Sequence, residues 1–262
     1  MELPYFHVDA FTDQLFGGNP ACVVSLPQWL PDELLLKIAN ENGVPETAFY
    51  VTSASKIQLR WFTPEIEMDL CGHATLATAH VLMSHLNFTQ PKLQFETQSG
   101  TLEVSKVEDM YFLTLPARPA VPASLPKPIG EALNIPPMTV LKARDYVLVY
   151  ESETAVRNIV IDRLKFDEIN LHTGGVVVTA IGDNCDFVSR FFTPQASILE
   201  DPVTGSAHCS LVPFWAERLK KERMHARQLS KRMGDLFCEN GTDHVIVGGK
   251  ARSFASGTLW IS

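Results

Sequence analysis

The sequence lacks the features that mark several large classes of protein. Its 262 residues carry a formal charge of −8, without the positive excess that nucleic acid or an acidic membrane surface requires of a partner. The five cysteines are scattered and form no Cys-x-x-Cys pair, which argues against a disulfide framework and a zinc site. No apolar run approaches the ~20 residues that span a bilayer, and the first residues lack the pattern of a signal peptide. We therefore expect a cytoplasmic protein without nucleic-acid or membrane partners.

Common cofactor and catalytic motifs are also missing from the sequence. It contains no Gly-x-Gly-x-x-Gly after a strand, no phosphate-binding loop, no His-Glu-x-x-His and no Gly-x-Ser-x-Gly. These absences argue against nucleotide-dependent chemistry, zinc hydrolysis and a serine triad. We expect no cofactor and no metal, which leaves proton transfer at a carbon acid as the main candidate chemistry.

One motif is present twice. Residues 60–64 read Arg-Trp-Phe-Thr-Pro and residues 190–194 read Arg-Phe-Phe-Thr-Pro, and each copy runs through an acidic loop to a small-residue helix start. Those helix starts read Cys-Gly-His-Ala at 71–74 and Thr-Gly-Ser-Ala at 204–207. The copies are 130 to 133 residues apart, close to half the chain, which indicates a duplicated half-domain.

A change in composition marks the boundary between the halves. Seven of the seventeen prolines lie between Pro116 and Pro137. We place the N-terminal half at residues 1–117 and the C-terminal half at 118–262, with the final strand available to complete the first half. Packing of the halves with pseudo-twofold symmetry would bring two helix N-termini to one cleft, and such a cleft favours a small anionic ligand.

The pattern of apolar residues predicts an α+β fold. The helix that begins near Gly72 is apolar on every side, so we expect a sheet wrapped around it. The second half should repeat this plan with a helix from Gly205, in which Pro213 predicts a kink near Cys209. The basic run 220–232 indicates a solvated helix surface, and residues 251–256 and 258–261 are expected as two closing strands.

Glu46 and His73 are the first candidates for chemistry. Glu46 opens a strand among apolar neighbours, where desolvation would raise the pKa of its carboxyl group; the alternative is a glutamate in solvent at a strand end. His73 lies in the first turn of the buried helix, where the dipole disfavours its protonated form. A structural histidine fits that position equally well.

Three further positions have competing interpretations. Cys71 lies at a helix start, where a thiolate is stabilised, but a small buried residue is the simpler interpretation. Asp201 could cap the second helix, and Ser206 could simply begin a turn. The functional interpretation of Ser206 gains support because it matches His73 in the other copy, each directly after the helix glycine. The glycines themselves allow backbone N–H groups to approach a carboxylate closely.

With these residues, the chain resembles the phenazine biosynthesis-like isomerases, or PhzF family, within the diaminopimelate-epimerase-like fold. The motifs that carry the resemblance occur in the expected order over most of the chain. They are Asp-Ala-Phe-Thr at 9–12, Gly-Asn-Pro at 18–20, Pro-Glu-Thr-Ala-Phe at 45–49, Cys-Gly-His-Ala-Thr at 71–75 and Glu-Asp-Pro-Val-Thr-Gly-Ser-Ala-His at 200–208.

The resemblance implies two pseudo-symmetric halves, each a β-barrel-like sheet around a central helix, with the active site between them and a homodimer as the assembly. It implies an isomerase that needs no metal or cofactor, with Glu46 as general acid/base and His73, Asp201 and Ser206 as its companions. We expect a small anionic substrate. Its contacts would come from Asn19, Gly72, Ala74, Gly205 and Ala207.

Two other functions remain open from the sequence. An epimerase or racemase of an amino-acid-like substrate is the nearest alternative, but a two-thiol racemase needs a second sulfur where Thr204 stands. The other is a ligand-binding protein that kept the fold after losing catalysis. Retention of Glu46, His73, Asp201 and Ser206 together argues against it, because a binding relic needs no desolvated base.

Overall fold

A computed structural model describes residues 1–53 and 56–261 as a mixed α+β protein. The chain forms two compact units. The first unit comprises Met1–Leu115 together with Val247–Ser262, and the second comprises Pro116–Ile246. The α+β class predicted from the sequence is confirmed.

Eighteen strands and six α-helices are found in the described residues. The strands are β1 (Glu2–Ala10), β2 (Asn19–Leu26), β3 (Glu46–Ser53), β4 (Lys56–Phe62), β5 (Glu67–Met68), β6 (Lys92–Thr97), β7 (Gly100–Val107), β8 (Met110–Pro116), β9 (Val121–Pro122), β10 (Thr139–Lys142), β11 (Tyr146–Val149), β12 (Val176–Ile181), β13 (Phe187–Phe192), β14 (Glu200–Asp201), β15 (Arg223–Gln228), β16 (Gly234–Asn240), β17 (His244–Gly249) and β18 (Ala251–Trp260). The helices are α1 (Asp32–Asn42), α2 (Gly72–His85), α3 (Lys127–Ala132), α4 (Glu153–Arg157), α5 (Arg163–Phe166) and α6 (His208–Leu219), and a 3₁₀ turn at Gly205–Ala207 leads into α6. No helix of the described chain is long and apolar enough to cross a membrane.

The first unit is built on a sheet of mixed direction. Its strands run in the order β18, β1, β2, β3, β4, β6, β7, β8, and the β2–β3 and β4–β6 pairs are parallel. The short β5 pairs with the end of β4. Helix α1 supplies the crossover between β2 and β3, and its αL C-cap at Gly43 (φ 61°) ends it.

The second unit repeats the first seven strands of this pairing plan. Its order is β9, β10, β11, β12, β13, β15, β16, with parallel pairs at β11–β12 and β13–β15. The short β14 pairs with the end of β13, as β5 does with β4. Helices α4 and α5 lie in the crossover that α1 makes in the first unit. The duplication seen in the sequence is therefore a duplication of strand order and direction.

Helix α2 is buried on all sides, as its sequence predicts. Ten of its fourteen residues are buried, and it contacts β1, β2, β3, β7 and β18. Small residues allow the strands to approach closely, because four alanine or glycine positions present little side-chain bulk. This packing fixes the start of α2, including His73, inside the first unit.

Helix α6 tolerates a proline because the carbonyl that loses its helical hydrogen bond accepts a different one. Pro213 has no N–H to donate to the Cys209 carbonyl four residues earlier. That carbonyl instead accepts a hydrogen bond from the Arg118 backbone N–H at 2.8 Å, and the Ser210 hydroxyl donates to the Arg118 carbonyl at 2.7 Å. The proline thereby ties α6 to the segment that follows β8.

Three local predictions from the sequence are wrong. The basic run 220–232 does not cover a helix surface, because its residues Arg223–Gln228 form β15, in which Met224 and Ala226 alternate inward. Residues 251–260 form one strand rather than two, since Gly257 pairs in register with Tyr5. The helix predicted from Gly205 begins with the 3₁₀ turn and becomes α-helical only at His208.

Candidate active site

Glu46 is the first residue of β3 and lies beside the start of α2. Its side chain is 13 % exposed, and its Oε2 lies 3.3 Å from Nε2 of His73. These two atoms are close but are not joined by a hydrogen bond. The first unit thus brings together the two residues that the sequence singles out for proton transfer.

His73 is a neutral imidazole at physiological pH. Complete burial lowers its pKa to about 3, because the low-dielectric interior disfavours the imidazolium. Its Nδ1 lies 3.1 Å from the side-chain nitrogen of Asn19, a fully buried residue at the start of β2. Asn19, expected from the sequence to contact substrate, therefore holds the ring that faces Glu46.

Cys71 adds a third polar group to this cluster. Its Sγ lies 3.6 Å from His73 Nδ1, and the residue is the buried N-cap of α2. Possible ligand atoms of Glu46, Cys71 and His73 all lie within 4.8 Å of one another. Oxygen, sulfur and imidazole nitrogen are a donor set that suits zinc, so these are the residues that could hold a metal ion. The sequence-based expectation of no metal stays a prediction.

Ser206 is the corresponding residue of the second unit, and an arginine holds it. Arg144, just before β11, donates from Nη2 to the Ser206 Oγ at 2.9 Å. The same guanidinium donates from Nε and Nη2 to the buried carboxylate of Asp145 at 3.0 to 3.3 Å. Asp145 also accepts the Gly175 N–H at 2.9 Å. The Arg144 guanidinium is therefore held between Ser206 and Asp145.

Asp201 is held by hydrogen bonds with Thr204 and Gln228 in the second unit. Its carboxylate accepts a hydrogen bond from the hydroxyl of Thr204. Thr204 is the residue equivalent to Cys71 of the first unit. Gln228 joins Asp201 and Thr204, because its amide nitrogen donates to the Asp201 carbonyl at 2.7 Å and its amide oxygen accepts the Thr204 N–H at 2.8 Å. Thr204 is the N-cap of the 3₁₀ turn. These bonds hold the approach to Gly205 and Ser206.

The remaining predicted contacts are backbone groups at the two helix starts. Gly72 and Ala74 occupy the first turn of α2, and Gly205 and Ala207 occupy the 3₁₀ turn before α6. N–H groups of a first helical turn have no acceptor within their own helix, so they are suited to bind an anionic oxygen. All four residues are buried.

Comparison with known proteins identifies the family. The model of the family described as phenazine biosynthesis-like protein matches residues 8–257. The chain belongs to the phenazine biosynthesis-like family. An uncharacterized isomerase of Pseudomonas aeruginosa is 48 % identical over 99 % of both chains. Isomerase is the activity class in the names of such relatives, and this chain is assigned to that class.

Solved structures agree with this assignment. A PhzF family protein of Enterococcus faecalis superimposes with a TM-score of 0.92 at 43 % identity, covering all of both chains. A hydroxyproline epimerase of Agrobacterium vitis gives a TM-score of 0.68 at 10 % identity, covering 98 % of this chain and 92 % of the other. The second likeness shows the fold alone. The recognition of a PhzF family member in the sequence is confirmed.

Arg144, Asp145 and Gln228, which hold Ser206 and the approach to Gly205, are not predicted by the sequence analysis. A charged pair just before an apolar strand is typical of an ordinary turn, and Gln228 lies in a basic run. One signal was available: Arg144 precedes the second long strand of its unit, much as Asn19 opens the second strand of the other. Aligning the two copies over their strands, rather than over the repeated motif alone, would have pointed to it.

Proposed function

We propose that the protein is a cofactor-independent isomerase that moves a proton on a small carboxylate-bearing substrate, either amino-acid-like or cyclic. Glu46 is the general acid/base. One observation carries this proposal: the largely buried carboxylate of Glu46 lies 3.3 Å from an imidazole that burial keeps neutral. A neutral neighbour adds no fixed positive charge that would weaken the carboxylate as a base.

The proposed reaction needs only one proton-carrying group. Glu46 removes a proton from a carbon next to a conjugated or carboxyl-bearing group, and the electron pair of the broken C–H bond delocalises into that group. The protonated Glu46 then returns the proton to a different carbon, so that a hydrogen and a double bond have moved and the enzyme is unchanged. His73 stays neutral throughout and orients the carboxyl group.

Negative charge that develops on the substrate needs stabilisation. First-turn N–H groups at Gly72 and Ala74 are suited to this, because they carry the positive end of the α2 dipole. The equivalent groups at Gly205 and Ala207, with Ser206 and Asp201, are proposed to bind the same substrate. This keeps the sequence-based expectation of a cleft that both halves line.

An epimerase remains the alternative to be tested. The observation against a two-thiol mechanism is Thr204, which occupies the position equivalent to Cys71 and whose hydroxyl donates to Asp201. A hydroxyl engaged in this way has neither the acidity nor the freedom of a second thiol.

The test is hydrogen exchange in heavy water. Small carboxylates retained by the purified protein are identified by mass spectrometry and then followed by proton NMR in deuterium oxide. An isomerase relocates a hydrogen and a double bond, whereas an epimerase labels the centre that it inverts. Glu46→Gln should abolish the reaction while the exposed Glu41→Gln on α1 leaves it intact. Full activity of Glu46→Gln would exclude Glu46 as the base.

A further inference from the structure

The contacts of Arg144 determine which way the Ser206 hydroxyl points. A guanidinium has only donors, so the 2.9 Å bond from Arg144 Nη2 makes the Ser206 Oγ the acceptor. The hydroxyl proton of Ser206 must then be directed elsewhere. Among the described residues, none accepts a hydrogen bond from the Ser206 hydroxyl. Ser206 is therefore presented as a donor.

This arrangement is rigid and largely closed to water. Ser206 is 8 % exposed, and the Arg144 side chain is 14 % exposed. The side chain of Asp145 is 3 % exposed. Its carboxylate forms an ion pair with the guanidinium and accepts a hydrogen bond from the Gly175 N–H. A donor whose partners are held in this way loses little conformational freedom when a ligand binds.

We propose that Arg144 is a positioning residue, which fixes the Ser206 hydroxyl as a donor to a carboxylate oxygen of the substrate. The inference deepens the proposed function and rests on it for the substrate class. Asp145 balances the formal charge of Arg144, so preference for an anion comes from the oriented donor rather than from net positive charge. Hydrogen bonds to an ionised acceptor are about twice as strong as those to a neutral one. The oriented Ser206 hydroxyl therefore favours a carboxylate over a neutral group of the same shape.

The first unit contains the same two-residue arrangement with different chemistry. There the side chain of Asn19 holds His73, the residue directly after the helix glycine, and both groups are uncharged at neutral pH. In the second unit Arg144 holds Ser206, again directly after the helix glycine. One arrangement presents an imidazole to a carboxylate base, and the other presents a hydroxyl donor.

The experiment compares sodium benzoate with benzamide as a matched pair of anionic and neutral probes, titrated into the full-length protein and followed by protein NMR. Wild-type protein should prefer benzoate. Ser206→Ala, which keeps the Arg144–Asp145 ion pair, should weaken benzoate about tenfold and benzamide little. Arg218→Lys, an exposed arginine on α6, is the charge-matched control and should change neither.

Arg144→Lys tests whether the arginine acts through the serine. It keeps a positive donor for Asp145, whereas removing the charge would leave Asp145 buried and risk the fold. It should weaken benzoate in the wild-type background by a few-fold but add less than about twofold in Ser206→Ala protein, because the hydroxyl that it positions is gone. A merely structural role would weaken binding equally in both backgrounds.

Three results would overturn the inference. They are no preference for benzoate in the wild-type protein, including failure to bind either probe; unchanged benzoate affinity in Ser206→Ala; and equal losses from Arg144→Lys in both backgrounds. Failure of the proposed function is recognised separately, because probe binding requires no turnover. Glu46→Gln should keep the benzoate preference whether or not it retains hydrogen exchange.

Discussion

Glu46 and Gly175 occupy the same place in the two units. Thr47 pairs with Phe62 in the first unit and Val176 pairs with Phe192 in the second, so the residue before each is equivalent. A side chain does not fit at the second position, because a Cβ on Gly175 would lie 2.4 Å from the Phe191 ring and 2.8 Å from the Phe192 carbonyl oxygen. The duplicated scaffold thus has room for an acid/base group on one side only.

The scaffold around these unequal positions is closely alike. Arg60 donates from Nε to Glu67 at 2.7 Å and stacks over Phe62, and Arg190 donates from Nε to Glu200 at 2.7 Å and stacks over Phe192. The Arg60–Glu67 ion pair joins β4 to the short β5, and the Arg190–Glu200 ion pair joins β13 to the short β14. Each short strand leads to the helix start of its unit. The difference between the units teaches that duplication supplied the frame, while the proposed division between proton transfer and anion binding rests on single side chains.

The sharpest test of this division compares Glu46→Gln with Ser206→Ala. Loss of the proton carrier should lower kcat by at least about a thousandfold with KM nearly unchanged, since amide and carboxylate have the same shape. Loss of one donor to a carboxylate should mainly raise KM, by about tenfold to a hundredfold. Steady-state kinetics on the substrate found by exchange measures both. Equal effects on kcat would contradict the division.

Acid stability should expose the buried imidazoles of both units. Burial lowers the pKa of His73 to about 3, and burial, followed by nearby positive charges, lowers that of His80 to about 4; burial also lowers that of His208 to about 4. Between about pH 6.5 and 4 the unfolded chain therefore binds more protons than the folded one, so stability falls as pH falls. Each histidine contributes about 1.4 kcal/mol per pH unit at the steepest part.

Urea denaturation from pH 7 to pH 5 would measure this loss. His80→Gln in the first unit and His208→Gln in the second should each reduce the slope by about a third. A free energy of unfolding that stays flat over this range would mean that the imidazoles are not held neutral by burial.

The two arginines of the shared frame should differ in their contribution to stability. Arg60 also reaches Asp32, which is exposed, whereas Arg190 donates to the carbonyls of Val156, Arg157 and Ile159 at the end of α4. Arg190→Met leaves those carbonyls and Glu200 without their donor, and we expect it to cost about 3 kcal/mol, against about 1 to 2 kcal/mol for Arg60→Met. Chemical denaturation measures the difference, and a larger loss for Arg60→Met would be inconsistent with it.

Gly175→Ala tests whether the second unit lacks room for a side chain at this position. Crowding against the Phe191 ring and the Phe192 carbonyl should cost about 1 to 3 kcal/mol. Gly130→Ala in α3 is the matched control: its added Cβ meets only the flexible side chain of Leu125 at 3.2 Å, and alanine favours the helix. The control should be neutral or slightly stabilising. A neutral Gly175→Ala would show that the second unit has room for a side chain after all.

The sequence predicts the parts of the fold that local chemistry decides. Proline before α1 and glycine after it mark its ends, and the apolar composition of α2 predicts that sheet surrounds it. Glu46 and His73 are predicted as functional residues from the sequence because each stands at the start of a predicted element. Their adjacency depends on β3 lying beside α2, and the sheet-around-helix prediction includes that packing.

What the sequence does not predict depends on distant pairing. Arg144 meets Ser206 across 62 residues, and Asp145 meets Gly175 across 30 residues, without any local signal. Gly257 suggests a break, but pairing with Tyr5 carries β18 through it. The tertiary ladder outweighs local propensity in such cases.

Strand β18 has a consequence for biosynthesis. It completes the first unit by pairing along the whole of β1, from Glu2 opposite Trp260 to Ala10 opposite Ala251, yet it is translated after the entire second unit. On the ribosome, β1 therefore has no β18 partner while the second unit emerges and folds. The sheet that carries Glu46 and surrounds His73 has one unpaired edge during this time. Nascent chains stalled before Ala251 should consequently present an open edge to chaperones, and the candidate active-site residues of the first unit would reach their folded surroundings last.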